Sequence, residues 1–393
     1  MADYPGGQGA AAPRKGTRGH RLLMLVFSFS IAFLLHILLF ATAPMATTIM
    51  GEMGLSHARF GFVFSIAMAS LVIFRLPWGL LADRIGYLRV MRMALLICTA
   101  FAFARAFSTS YPTLLLSQFF LGLGLAATMP CLSLLVRESS RRTPGLSTGI
   151  YVSGFAAGNA AALGITPYLL HLVSWRHVLF AYAGLAATLC LLWWCLAGSG
   201  AKPTSNLQLK SFTCILKDKY VWVLLLFVMA AMGSYDTLAT WMPKVLEMKE
   251  LSTAFASLLP LGFLLAGPIV GLASDRFKDR KTVVALLGLA AALSIGGINY
   301  APVPALLVCL FLAGFTTIGV LTLALAAPVE HEYLSRFAGT VVGLISSLGN
   351  VGPLVMPVVF GYLIDVTGTF QTSVLCVAAV AGVAFTLGSR ASN

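Results

Sequence analysis

The amino-acid sequence predicts an all-α membrane protein, with twelve transmembrane helices arranged as two six-helix halves. Three observations carry that prediction. Of 393 residues, 59% are hydrophobic and only 10% charged, with a mean hydropathy of +0.91, against the roughly 25% charged residues of a soluble domain. Apolar runs long enough to cross about 30 Å of hydrocarbon recur along the whole chain. The basic residues collect between those runs, on alternate connections.

Taken in order, a polar, Gly-rich, basic segment at 1–21 reads as a cytoplasmic tail, because the run behind it lacks a small-residue cleavage site. The first span, 22–47, has His36 at its middle, and the second, 59–82, ends in the stretch from Gly79 to Val90, GLLADRIGYLRV. Spans at 89–108 and 111–136 are separated by a short polar step. The fifth, 144–170, follows Arg137, Arg141 and Arg142 and contains Gly158-Asn159; the sixth is 174–197. The longest internal polar stretch, 198–218, reads as a cytoplasmic linker between an N-terminal half at 22–197 and a C-terminal half at 219–388. Span seven, 219–244, carries Tyr235 and Asp236; span eight, 251–273, ends in GLASDRFKDRKT from Gly271 to Thr282. Spans at 281–299, 303–328, 336–363 (with Gly349-Asn350) and 370–388 complete the set before a short C-terminus at 389–393.

An even count of spans puts both termini on one side, and 20 of the 26 Lys and Arg residues lie on connections that would share that side. The Lys/Arg excess marks the cytoplasmic face, so both termini are expected there, in a bacterial inner membrane. A net charge of +13 is thereby explained by topology, and nucleic acid is not expected as a partner. Most of the seven cysteines sit inside apolar runs, as small buried hydrophobes do. No phosphate-cradling G-x-x-x-x-G-K-[ST] loop, no metal-ligand spacing and no acid–base pair on facing helices is present in the sequence. The expectation is therefore a protein that is not an enzyme and needs no cofactor or metal.

Gly79, Asp83, Arg84, Gly86 and Arg89 resemble the signature loop of the major facilitator superfamily, and Gly271, Asp275, Arg276 and Arg280 resemble a degenerate second copy at the equivalent point of the other half. That resemblance implies the major facilitator fold, a monomer and alternating access. It also implies a conformational latch at Gly79, Asp83, Arg84, Gly86, Arg89, Asp275 and Arg276: glycine admits close helix approach, while a carboxylate facing helix N-termini makes a bond that can be broken and remade. The run from Arg75 to Arg84, RLPWGLLADR, together with Gly158-Asn159 and Gly349-Asn350 with Gly352, is similar to the nitrate/nitrite porter branch, in which an arginine eight residues before the loop aspartate contacts the anion. The branch's second anion-contacting arginine has no counterpart, since Gly267 stands at the position corresponding to Arg75.

Arg75 offers a planar donor fork suited to an oxyanion, either as a substrate contact or in a structural pair with Asp236. Asn159 and Asn350 are midspan amides flanked by glycines, able to donate to an oxyanion or to tie helices together. His36 and Tyr235 are further candidates for the substrate site, and Asp236 for proton coupling. Gln118 stands where the superfamily often has an arginine, and Arg105 reads as an interfacial snorkeller near a span end. The expected partners are a small anionic solute, protons as a candidate coupling ion, and membrane lipid. The function expected is secondary transport of a small anion, nitrate- or nitrite-like or a small carboxylate, by symport or exchange; the alternative is export of a larger amphipathic compound.

Overall fold

The computed structural model describes residues 18–139, 144–197, 218–276, 280–330 and 338–391. Nearly all of the predicted tail at 1–21, the linker at 198–218 and the last two residues lie outside them. The described residues form helices and turns with no strand. In chain order the helices are α1 (Arg18–Phe40), α2 (Ala46–Met53), α3 (His57–Ile85), α4 (Tyr87–Ala106), α5 (Tyr111–Ala126), α6 (Thr128–Ser139), α7 (Pro144–Leu172) and α8 (Trp175–Leu196). Then come α9 (Lys219–Met248), α10 (Leu258–Arg276), α11 (Arg280–Tyr300), α12 (Val303–Glu330), α13 (Ala338–Leu348), α14 (Val351–Thr367) and α15 (Gln371–Ala391). Ten described helical segments are long and apolar enough to cross a membrane.

Local chemistry sets the boundaries. The Ser56 hydroxyl accepts from the Arg59 N–H at 3.3 Å and starts α3, and Asp218 accepts from the Tyr220 N–H at 2.9 Å and starts α9. Between α3 and α4 only Gly86 intervenes, at φ +94°, a left-handed angle that an L side chain resists. The predicted first span does not stop at 47. Pro44 converts it to a 3₁₀ turn at Ala43–Met45, after which α2 carries it on to Gly54 at φ +61°; proline removes the donor that would have continued the α-helix. Two other spans are interrupted where the sequence reads as continuous: α5 gives way to α6 at Ala127, and α13 to α14 at Gly349-Asn350.

The same pairings occur before and after residues 198–217. α3 packs on α5, α1 on α7 and α4 on α8; correspondingly α10 packs on α12, α9 on α14 and α11 on α15. Glycines permit the closest crossings. Gly154 and Gly158 of α7 rest on the Phe29 and Phe33 carbonyls of α1, and Gly352 of α14 rests on the Met229 carbonyl of α9. A methyl group at any of these would occupy space already held by backbone.

The two helix sets meet chiefly along α3 against α13–α14 and along α7 against α10 and the 3₁₀ turn at Thr253–Ser257. The two ends of that seam differ. At the Asp365 end, Gly61 abuts the Pro357 carbonyl, Gly361 abuts the His57 carbonyl and Gly164 abuts Ser257. Thr47 bonds across to Glu247 and Lys244. At the Asp83 end, Gly79 meets only Pro130 of its own helix set, and Gly149, Gly267 and Gly343 have no described neighbour within 4 Å of an added methyl. Among the described residues, the close glycine contacts across the seam lie toward the Asp365 end.

Candidate functional site

Arg75 reaches the seam from α3, where its Nη1 donates to the Ser346 carbonyl at 2.8 Å. That carbonyl is free because of the interruption in the facing span. In an unbroken helix it would accept from the Asn350 N–H, which instead bonds to Ser347 at 3.3 Å. The Asn350 carboxamide turns back on its own chain and donates to Ser346 at 2.7 Å and Ser347 at 3.2 Å. Arg75 Nε is buried without a partner.

His36 of α1 lies within electrostatic reach of Arg75. Its ring sits 4.2 Å from that of Phe155, Gly158 gives its Cβ room, and its Nδ1 is buried without a partner. One residue beyond Gly158, Asn159 crosses to the other helix set and donates through Nδ2 to the Tyr235 hydroxyl at 3.3 Å. Its Oδ1 is buried and unpartnered. Tyr235 presents its edge to Phe263 at 5.4 Å. Accepting from Asn159 leaves the phenol O–H available as a donor.

Asp236 is half-buried beside Tyr235. The ion pairs of the described residues are His57–Asp365, Arg176–Glu52 and Lys244–Glu247, all toward the Asp365 end. The pairing of Arg75 with Asp236 expected as a structural alternative is therefore not made. The middle of the bundle holds a guanidinium and a carboxylate, each without a counter-ion among the described residues. Such groups inside apolar helices are costly and face the bundle interior or a water-filled path.

Of the expected latch, Gly86 is the turn between α3 and α4, Arg84 and Arg89 are exposed, and Asp83 is half-buried with no hydrogen bond or ion pair among the described residues. Asp275 and Arg276 end α10, and their side chains lie outside the described residues.

Arg105 corrects the sequence reading. It is not a snorkeller at an interface but is fully buried, with Nη1 donating to the Leu38 carbonyl at 2.6 Å and to Gln118 Oε1 at 3.1 Å. Leu38 sits in the last turn of α1, so Arg105 does for α1 what Arg75 does for α13: it satisfies a carbonyl left without its helical donor where the helix ends. The end of α1 at Phe40 leaves the Leu38 carbonyl without an intrahelical donor, and Gln118 marks the polar partner. The tryptophans divide by burial. Trp194 and Trp222 are about half exposed, whereas Trp175 and Trp241 are buried.

The family model of the Major Facilitator Superfamily matches residues 28–266 and 253–391. A gentisate transporter of Corynebacterium glutamicum is 27% identical over 80% of this chain and 74% of its own length. A nitrite extrusion protein of Bacillus subtilis is 25% identical over 86% of each chain. Among solved structures, the nucleoside transporter NupG superposes with a TM-score of 0.80 at 14% identity, over 94% of this chain and all of the other. The chain belongs to the Major Facilitator Superfamily, a family of multi-pass membrane transporters and not of enzymes, and its relatives include nitrate/nitrite porters.

Proposed function

We propose that this member of the superfamily is a secondary transporter of the inner membrane that moves a small anion by alternating access. The anion is nitrate- or nitrite-like or a small carboxylate. In this reading twelve spans form two six-helix halves, 22–197 and 219–388, with both termini cytoplasmic and the protein working as a monomer. The observation that carries it is the uncompensated guanidinium of Arg75, held between the helix sets on a main-chain carbonyl while its Nε stays unused. Removing a guanidinium from water without a carboxylate partner is unfavourable, and an anion in the path supplies what the protein withholds.

Arg75 presents the fork; His36, Asn159 and Tyr235 supply further polar atoms on three other helices. Asn350 belongs to the same locus through the Ser346 carbonyl that it shares with Arg75. The absence of a second arginine at Gly267 favours an anion with one charged group and a single fork-sized end over one gripped from two sides. Asp236, unpaired and half-buried, suits proton exchange as the pocket fills, so coupling to protons or exchange against another anion completes the cycle.

Flux into liposomes containing purified protein tests this, with nitrate, nitrite and a panel of small carboxylates offered with and without an inward proton gradient. Saturable uptake of one anion is expected, reduced about 100-fold or more in Arg75→Ala, the scale on which loss of a charged hydrogen bond acts, and partly retained in Arg75→Lys. Absence of anion uptake by folded wild-type protein, with uptake or efflux of an amphipathic solute, would replace this reading with the exporter.

A further inference from the structure

The Asp365 end of the seam is closed by an arrangement that neither the sequence motifs nor the family signature identifies. Asp365 ends the eleventh span on α14, and its carboxylate reaches the first turn of α3 in the other helix set. Oδ1 accepts from the His57 N–H at 2.9 Å and lies 2.8 Å from His57 Nδ1; Oδ2 accepts from the Ala58 N–H at 2.8 Å. The first turn of a helix leaves N–H groups without intrahelical acceptors and carries the positive end of the helix dipole. Ser56 already satisfies the Arg59 N–H within its own segment, so Asp365 acts as a second cap supplied from another helix.

The cap sits on a rigid seat. Trp241 of α9 is fully buried, donates through Nε1 to the Pro357 carbonyl at 3.0 Å, stacks on Phe360 at 5.7 Å and meets the Phe60 edge at 5.6 Å. The His57 ring lies 5.9 Å from it. Below the cap the two backbones touch through Gly361 at His57 and Gly61 at Pro357. Rocking the helix sets apart at this end would withdraw the carboxylate from two main-chain donors and one ring nitrogen together, and open both glycine contacts.

We propose that the Asp365 cap on α3 is the latch that holds this mouth of the transport path shut, and that its release precedes opening at that end. The inference rests on the alternating-access reading. It places a helix-end carboxylate latch at the opposite end of the bundle from Asp83, contributed by the other helix set.

The test uses full-length protein with native cysteines replaced and Ser65→Cys as a reporter. Ser65 is buried in the seam below the cap, 3.5 Å from the Pro353 carbonyl. Membrane-impermeant maleimide is applied from the Asp365 side of oriented vesicles. Asp365→Asn, verified as a single gel-filtration peak, should label several-fold faster than the parent, and Asp365→Glu should fall between them. Equal labelling of parent and Asp365→Asn overturns the proposal. If Asp365→Asn does not reach the membrane, Ala58→Pro decides, since proline is tolerated in a first helical turn and removes the N–H that Oδ2 accepts from: labelling several-fold faster than the parent is expected, and labelling equal to the parent overturns the latch. Neither readout requires a known substrate, so an absence of anion flux would count against the proposed function and not against the latch.

Discussion

Gly158-Asn159 and Gly349-Asn350 look alike in sequence and lie in spans that pack equivalently, yet the two asparagines do different work. Around Asn159 the helix α7 is unbroken, and the carboxamide reaches across to Tyr235. Around Asn350 the helix is interrupted, and the carboxamide is occupied with the carbonyls of Ser346 and Ser347 that the interruption exposed. A side chain can serve a solute only after its own backbone is satisfied. The break also explains Arg75: the Ser346 carbonyl exists as an acceptor because the helix does not use it. In the proposed function, Asn159 thus offers a side chain to the path, whereas the break at Gly349-Asn350 leaves the Ser346 carbonyl to Arg75.

The shared part of the comparison is the glycine contact, and breaking it should have the largest effect. Gly158 against the Phe33 carbonyl and Gly352 against the Met229 carbonyl leave no room for a side chain, and the obstructing atoms are backbone. Gly158→Val and Gly352→Val are each expected to cost about 3 kcal/mol or more, at or beyond the upper end of ordinary overpacking, because neither neighbour can rotate away. Thermal unfolding in detergent should show a fall of several degrees or a loss of folded protein. Retention of parental stability by either variant would mean that the helices cross less closely than described.

The asparagines separate the two roles at an intermediate scale. Asn350→Ala removes two hydrogen bonds to exposed carbonyls and should lower stability by about 1–2 kcal/mol, with a shift in melting temperature larger than any change in anion KM. Asn159→Ala removes one long bond and should do the reverse, raising KM about 10-fold, or about 1.4 kcal/mol, with little change in melting. The opposite pattern, stability lost at Asn159 and affinity at Asn350, would invert the assignment.

Hydropathy and charge placement made the helical, multi-pass character legible, because the membrane imposes it residue by residue. Gly86, the turn between α3 and α4, lies within the signature stretch GLLADRIGYLRV, which was legible as the connection between the second and third spans. Span interruptions were not. Gly349-Asn350 reads as apolar and continuous, and only the tertiary fold shows that Arg75 can take over a carbonyl bond there. Arg105 was misread for a related reason. Distance from a span end says where a guanidinium could reach, but not whether the chain has left it an acceptor inside, and Leu38 offers one. The Asp365 cap is invisible in sequence because its donors lie some 300 residues away, at 308 and 307 positions' separation.

Tyr235 gives the smallest and sharpest test. Its hydroxyl accepts from Asn159 across the bundle, and its own hydrogen has no acceptor among the described residues. If the phenol only ties α7 to α9, Tyr235→Phe and Asn159→Ala remove the same bond, and the double variant should behave as either single one. If the O–H also donates to the anion, the phenylalanine variant loses that donor as well. Its KM should then rise about 3-fold, near 0.7 kcal/mol, even in an Asn159→Ala background where the tie is already gone. Concentration-dependent flux in the four proteins resolves the two cases. A rise that survives in the double cycle puts Tyr235 on the solute, and one that vanishes there leaves Asn159 as the partner that matters on that side of the path.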